Sequence, residues 1–148
     1  MEREKLLEAL REKVAGLLPE VEGVVALRRA GAGSVAHLFR AGDDLAELTL
    51  WPHFPLPNPL RLIQARHPGA KLGAVVKGCD ERQLVELAKR RQINLDNLRL
   101  IGVACGEEQA EECRGMGTTL VVALLDGAEW VVGNVGDSRA YCYSQRSV

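Results

Sequence analysis

The residues best able to do chemistry in this chain are four cysteines, Cys79, Cys105, Cys113 and Cys142, and a short run, Lys77-Gly78-Cys79-Asp80, that combines an ammonium, a thiol and a carboxylate. The cysteines form no CxxC pair and have no zinc-ribbon spacing, so a structural zinc site is not expected. In a chain of this size that does not open with a secretory pattern, they read as reduced thiols filling small buried gaps. His37, His53 and His67 are far apart and show no metal-ligand spacing, so they read as surface or loop residues. The Lys77 run admits two readings. Asp80 caps or charge-stabilises the first turn of a helix while Lys77 reaches solvent; alternatively, the free N–H groups of that helix start beside Gly78, with Lys77 and Asp80, form a site for a phosphate or sulfate.

The elements that position these residues follow from periodicity. Leu6, Leu7, Leu10, Val14, Leu17 and Leu18 recur at helical spacing until Pro19, predicting an amphipathic opening helix. Residues 21–29 and 35–40 are short β-prone runs around Ala30-Gly31-Ala32-Gly33-Ser34, the composition of a hairpin turn. Trp51 to Asn58 and the following Pro59 contain four prolines, which predicts an extended loop packed over the body of the domain through Trp51 and Phe54. Leu72 to Val76 and Leu98 to Ala104 read as buried strands around a helix that starts at Asp80 and ends near Gln92. Residues 71–104 thus have the order and length of a βαβ unit, and ligands on such units bind beyond the carboxyl ends of the strands. Lys77 to Asp80 and Cys105-Gly106 share that edge. Thr118 to Leu125 and Trp130 to Val135 flank Asp126-Gly127, a strong hairpin signal, and Ser138 to Tyr143 is placed to extend the second strand.

The text KLGAVVKGCDERQLVELAKRRQINLDNLRLIGVACG, residues 71–106, resembles the deazaflavin-dependent hydrogenase/dehydrogenase beta-subunit family, with its KGCD motif, following helix and IGV-x-C-x-G. The resemblance extends over about residues 1–113. It implies an electron-transfer subunit that binds flavin and an iron–sulfur cluster, with Cys79, Cys105 and Cys113 as candidate ligands. Cluster binding usually takes four thiolates, and members of the family continue with a cysteine-dense segment and a larger flavin-binding region that this sequence does not show.

The text GMGTTLVVALLDGAEWVVGNVGDSRAYCY, residues 115–143, is similar to the central hairpin of the metal-dependent type 2C protein phosphatases. That resemblance implies that Asp137 lies near a metal centre and contributes to an accessory metal site. Phosphoester hydrolysis by a metal-bound water needs carboxylates from several strands, and one matched aspartate does not supply them.

These readings combine into an α/β expectation: a single domain with a βαβ unit at about 71–104 and a C-terminal antiparallel hairpin at about 118–143 that joins or extends the sheet. In domain terms, residues 1–113 are a redox-subunit-like fragment and 114–148 a phosphatase-like hairpin packed on the same core. Because the two resemblances abut without a flexible linker, the leading functional expectation is a non-catalytic recombined scaffold with no cofactor. The alternatives are an electron-transfer subunit fragment with an iron–sulfur cluster and flavin, and a residual metal-dependent phosphatase. A net charge of -1 gives no basis for a nucleic-acid or membrane-surface partner. Lys89-Arg90-Arg91 reads as a solvated face at a helix end. The apolar runs are short, and a cytoplasmic location is expected. An unpaired strand edge favours a homodimer, through that edge or by exchange of the hairpin.

Overall fold

The computed structural model describes residues 2–107, 110–111, 120–126 and 129–135. The chain divides into two units, 1–105 and 106–148. In the first, helix α1 (Glu2–Leu17) passes into a short 3-10 turn at Leu18–Glu20, where Pro19 ends the α-helical pattern. Strands β1 (Gly23–Ala30) and β2 (Gly33–Phe39) form the expected hairpin, in register from Val24 opposite Phe39 to Ala30 opposite Gly33. Gly31 sits at the turn with a φ of 57°, which suits a residue without Cβ. A two-residue strand β3 (Leu48–Thr49), helix α2 (Pro57–Arg66), strand β4 (Leu72–Val76), helix α3 (Gly78–Lys89) and strand β5 (Leu98–Gly102) complete the unit.

The result is an α/β unit with a mixed five-stranded sheet and three α-helices. Its main path is β2-β1-β4-β5. The β4-α3-β5 segment is the predicted βαβ unit, with β4 and β5 parallel from Leu72 opposite Leu98 to Val76 opposite Gly102. The other edge of β1 is shared: residues 23–25 pair in parallel with β4, and Leu27 and Arg28 pair antiparallel with β3. This sharing brings the chain after β3 across the carboxyl end of β4.

Alternation along the strands sorts the core into two layers. Val25, Leu27, Leu72, Ala74 and Val76 pack with Leu56 and Leu60 at α2 and Leu84 of α3. Val24, Ala26 and Val75 pack with Leu10 and Val14 of α1, Leu18, Phe39, Leu48 and Leu50. The opening helix therefore covers one face of the sheet, and α2 with α3 the other.

Two boundaries depart from the sequence expectation. The proline-rich stretch is extended only as far as Leu56, because Pro57 occupies the first position of α2, where a missing N–H costs nothing and the fixed φ suits the helix. Helix α3 starts two residues before Asp80 and ends at Lys89, three before Gln92. Its end is closed by Arg91 N–H donating to Ala88 O and Gln92 N–H to Leu87 O, with Arg91 in the left-handed region at φ 56°. That bond pattern is a Schellman closure.

In the second unit, β6 (Leu120–Asp126) and β7 (Glu129–Val135) form an antiparallel pair, Leu120 opposite Val135 and Asp126 opposite Glu129. The Asp-Gly signal was sound. The expectation that this hairpin joins or extends the main sheet is corrected: among the described residues, β6 and β7 make a separate two-stranded sheet. Each strand satisfies one edge in its hairpin partner, so nothing in the pairing itself requires a place in the larger sheet. The expected extension at Ser138 to Tyr143 lies outside the described residues.

Candidate functional site at the carboxyl edge of β4

The site begins where β4 ends. Lys77 is extended (φ -98°, ψ 168°) and serves as the N-cap of α3, so Gly78, Cys79 and Asp80 form the helix's first turn. Asp80 is only 1% exposed, and its carboxylate is held at both oxygens. Oδ2 accepts from the Lys77 backbone N–H at 3.0 Å, and Oδ1 accepts from the Leu56 N–H at 3.3 Å. The expected capping role of Asp80 is thus present, and the same carboxylate ties the loop before α2 to the start of α3. It also occupies the Lys77 N–H that an external anion would otherwise find beside Gly78.

Lys77 does not reach solvent as expected. It is 4% exposed, with Nζ donating to the Leu50 carbonyl at 3.4 Å and lying 5.8 Å from the centre of the Trp51 ring. The cause is β3: by pairing with β1 beyond the last β4 contact, it places Leu50 and Trp51 over the strand end from which Lys77 emerges. Arg3 approaches the same ring at 5.2 Å. Thr49 Oγ1 donates to the Trp51 carbonyl and accepts from its N–H, fixing the turn. Beyond a cis peptide at Trp51-Pro52, with the Pro52 carbonyl accepting from the Ser34 hydroxyl, the chain delivers His53 to the corner. Trp51 packs on the core as predicted, whereas Phe54 is 44% exposed.

His53 lies in the loop between β3 and α2, as expected of a surface or loop residue. Its side chain, however, is only 13% exposed, with Nε2 3.6 Å from Cys79 Sγ and 3.8 Å from Asp80 Oδ1. Its other ring nitrogen, Nδ1, is buried without a hydrogen-bond partner. Imidazole, thiol and carboxylate donors lie within 4.8 Å of one another. Sequence spacing gave no sign of this, because Cys79 lies 26 positions after His53 and a helix and a β-strand intervene. Leu27, Leu50, Phe54, Leu56, Val75 and Lys77 join His53 and Asp80 around a cavity of about 10 Å³, room for roughly one water.

Burial pulls the His53 imidazole below its ordinary value of 6.5; the Asp80 carboxylate opposes this and the Lys77 ammonium adds to it. Burial and the Asp80 charge push the Cys79 thiol above its ordinary value of 9.0, and Cys105 adds in the same direction. The backbone N–H groups of Asp80 and Cys79 pull the other way. At neutral pH the corner therefore holds a neutral imidazole beside a protonated thiol.

The buried-thiol expectation is corrected for two cysteines. Cys79 and Cys105 are exposed, because each lies just beyond the end of a parallel strand, where the sheet no longer covers the chain. Cys113, Cys142 and Asp137 lie outside the described residues. No helix among the described residues is long and apolar enough to cross a membrane.

No protein-family model matches the chain. Over 88 residues it is 62% identical to the F420-dependent formate dehydrogenase 1 subunit beta of Methanococcus maripaludis, covering 58% of this chain and 23% of that protein. It is 34% identical, over the same length and shares, to the F420-dependent formate dehydrogenase subunit beta of Methanocaldococcus jannaschii. The chain spans about a quarter of the length of these curated relatives. This finding overturns the expectation of a non-catalytic recombined scaffold: the similarity is to part of a formate dehydrogenase beta subunit and takes in more than half the chain. The phosphatase resemblance of residues 115–143 finds no support. Over 88 of its residues, then, the chain resembles the beta subunit of an F420-dependent formate dehydrogenase.

Proposed function

We propose that the α/β unit is an electron-transfer module of the kind found in the beta subunits of F420-dependent formate dehydrogenases. The observation that carries this reading is the 62% identity to such a subunit. The geometry agrees with it. Two cysteines, Cys79 and Cys105, follow the carboxyl ends of adjacent parallel strands, the edge at which open α/β sheets bind their ligands. The buried Lys77 ammonium beside that edge supplies a fixed positive charge that favours negative charge arising on a group being reduced.

The cofactors expected from the family resemblance are not assembled by the described residues alone. An iron–sulfur cluster usually takes four thiolates; this edge offers two, and Cys79 has His53 and Asp80 as its neighbours. A flavin-sized molecule fills hundreds of Å³, and the cavity at His53 has about 10 Å³.

The test is binding of F420 by the full chain purified without oxygen, followed through the cofactor's own fluorescence. Saturable binding near one per chain supports the proposal. A cooperatively folded chain that neither binds F420 nor retains iron or flavin would overturn it.

A further inference from the structure

The donors around Cys79 converge in a way that neither a catalytic triad nor a simple hydrogen bond explains. In a nucleophile–imidazole–carboxylate triad, the two partners sit on opposite ring nitrogens. Here Cys79 Sγ and Asp80 Oδ1 both face Nε2 of His53, at 3.6 and 3.8 Å, and Nδ1 is buried without either. A single N–H cannot donate well to both. Three donors of different chemistry around one point is the arrangement of metal ligands.

The spacing agrees. With tetrahedral angles, a bond of about 2.3 Å to sulfur and one of about 2.05 Å to nitrogen separate the two ligand atoms by about 3.6 Å. The corresponding nitrogen–oxygen separation is about 3.4 Å. The first matches the observed Cys79–His53 distance, and the second requires Asp80 Oδ1 to close by a few tenths of an ångström from 3.8 Å. The carboxylate is already oriented by the Lys77 and Leu56 N–H groups, the kind of outer support that metal-bound carboxylates receive.

We propose that His53 Nε2, Cys79 Sγ and a carboxylate oxygen of Asp80 form a three-ligand site for one divalent cation of the zinc or ferrous class, with a further position open. Mixed nitrogen, sulfur and oxygen donors select such cations over magnesium or calcium, which prefer oxygen alone. Binding exchanges the thiol proton for the metal: the S–H bond breaks, the Cys79 sulfur keeps the electron pair and bonds the cation, and the proton leaves to solvent. The site does not depend on the electron-transfer proposal, since it uses no iron–sulfur chemistry and no F420.

The experiment is titration of the chelator-treated full chain with Co2+ alone, without sulfide or F420, read by equilibrium dialysis and absorption. One cobalt per chain is expected, with a thiolate-to-cobalt charge-transfer band. Cys79→Ser removes the band, and His53→Gln weakens binding at least about tenfold. His37→Gln, on β2 and outside the three-donor cluster, leaves both unchanged. Because Cys79 is exposed, Cys79→Ser retains the fold, which circular dichroism verifies. Absence of stoichiometric binding by the folded chain would overturn the proposal, as would a charge-transfer band that survives Cys79→Ser.

Discussion

His53 Nε2 stands 3.6 Å from the Sγ of Cys79, 26 positions later in the chain. The contact exists because β3 takes the edge of β1 beyond the end of β4, so the loop that leaves β3 must cross the strand end from which Cys79 departs. The chemistry of the corner and the topology of the sheet are therefore one feature.

Asp80 is the residue that holds the corner together. Asp80→Asn keeps one acceptor oxygen but turns an NH2 toward a backbone N–H, leaving a buried donor unsatisfied. A loss of about 1–3 kcal/mol in unfolding free energy is expected, measured by urea denaturation at neutral pH. Wild-type stability in Asp80→Asn would contradict the two backbone bonds assigned to the carboxylate.

The buried His53 makes stability depend on pH in a defined direction. Its folded value lies below 6.5, so the unfolded chain binds the proton first as pH falls. This contribution is complete above the unfolded value and is lost as pH drops through 6.5 toward the folded one. In His53→Gln, the part of the pH dependence that falls in this window disappears. Urea midpoints measured across the range from about pH 5 to pH 8 report it.

Cys79 is exposed yet a poor nucleophile at neutral pH, since burial of its sulfur and the Asp80 charge hold the proton on. Alkylation by iodoacetamide, followed residue by residue by mass spectrometry, is expected to rise steeply only above the ordinary thiol value of 9.0. In Asp80→Asn the rise moves to lower pH. An unchanged profile in that variant would remove the carboxylate as a cause.

Arg91 closes α3 in a conformation that favours glycine. Arg91→Gly is expected to stabilise the chain by about 1 kcal/mol, read as a higher urea midpoint with an unchanged slope. Arg91→Val should lower the midpoint, because a branched Cβ adds to the crowding.

Much of this unit was legible in the residues because its signals are local. Leu72 to Val76 read as a buried strand since an apolar run covered on both faces has no polar alternation, and Ala30 to Ser34 read as a turn from its glycines. Leu98 onward is a strand as expected, but its reading as a buried one is corrected: at the end of the sheet path only Leu98 of β5 is buried and Leu100 is 44% exposed. Helix α2 was hidden by its own start: Pro57 and Pro59 look like breakers unless they fall in the first turn, and Leu60 and Gln64, the buried face that follows, offer only two turns of periodicity. Gln64 is informative only in three dimensions, where it exchanges hydrogen bonds with the Asn94 carbonyl and N–H. The same holds for the corner. The Lys77 to Asp80 run identified half of it, but His53 joins through strand pairing that no spacing rule encodes, and Lys77 is buried by a two-residue strand too short to read.

The most direct test of the corner as a metal-binding site is X-ray absorption at the metal edge of the full chain loaded with one equivalent of zinc. A shell containing one sulfur at about 2.3 Å with nitrogen and oxygen at about 2.0–2.2 Å is the predicted result, and the sulfur vanishes in Cys79→Ser. A shell of nitrogen and oxygen alone in the wild-type chain would contradict the site.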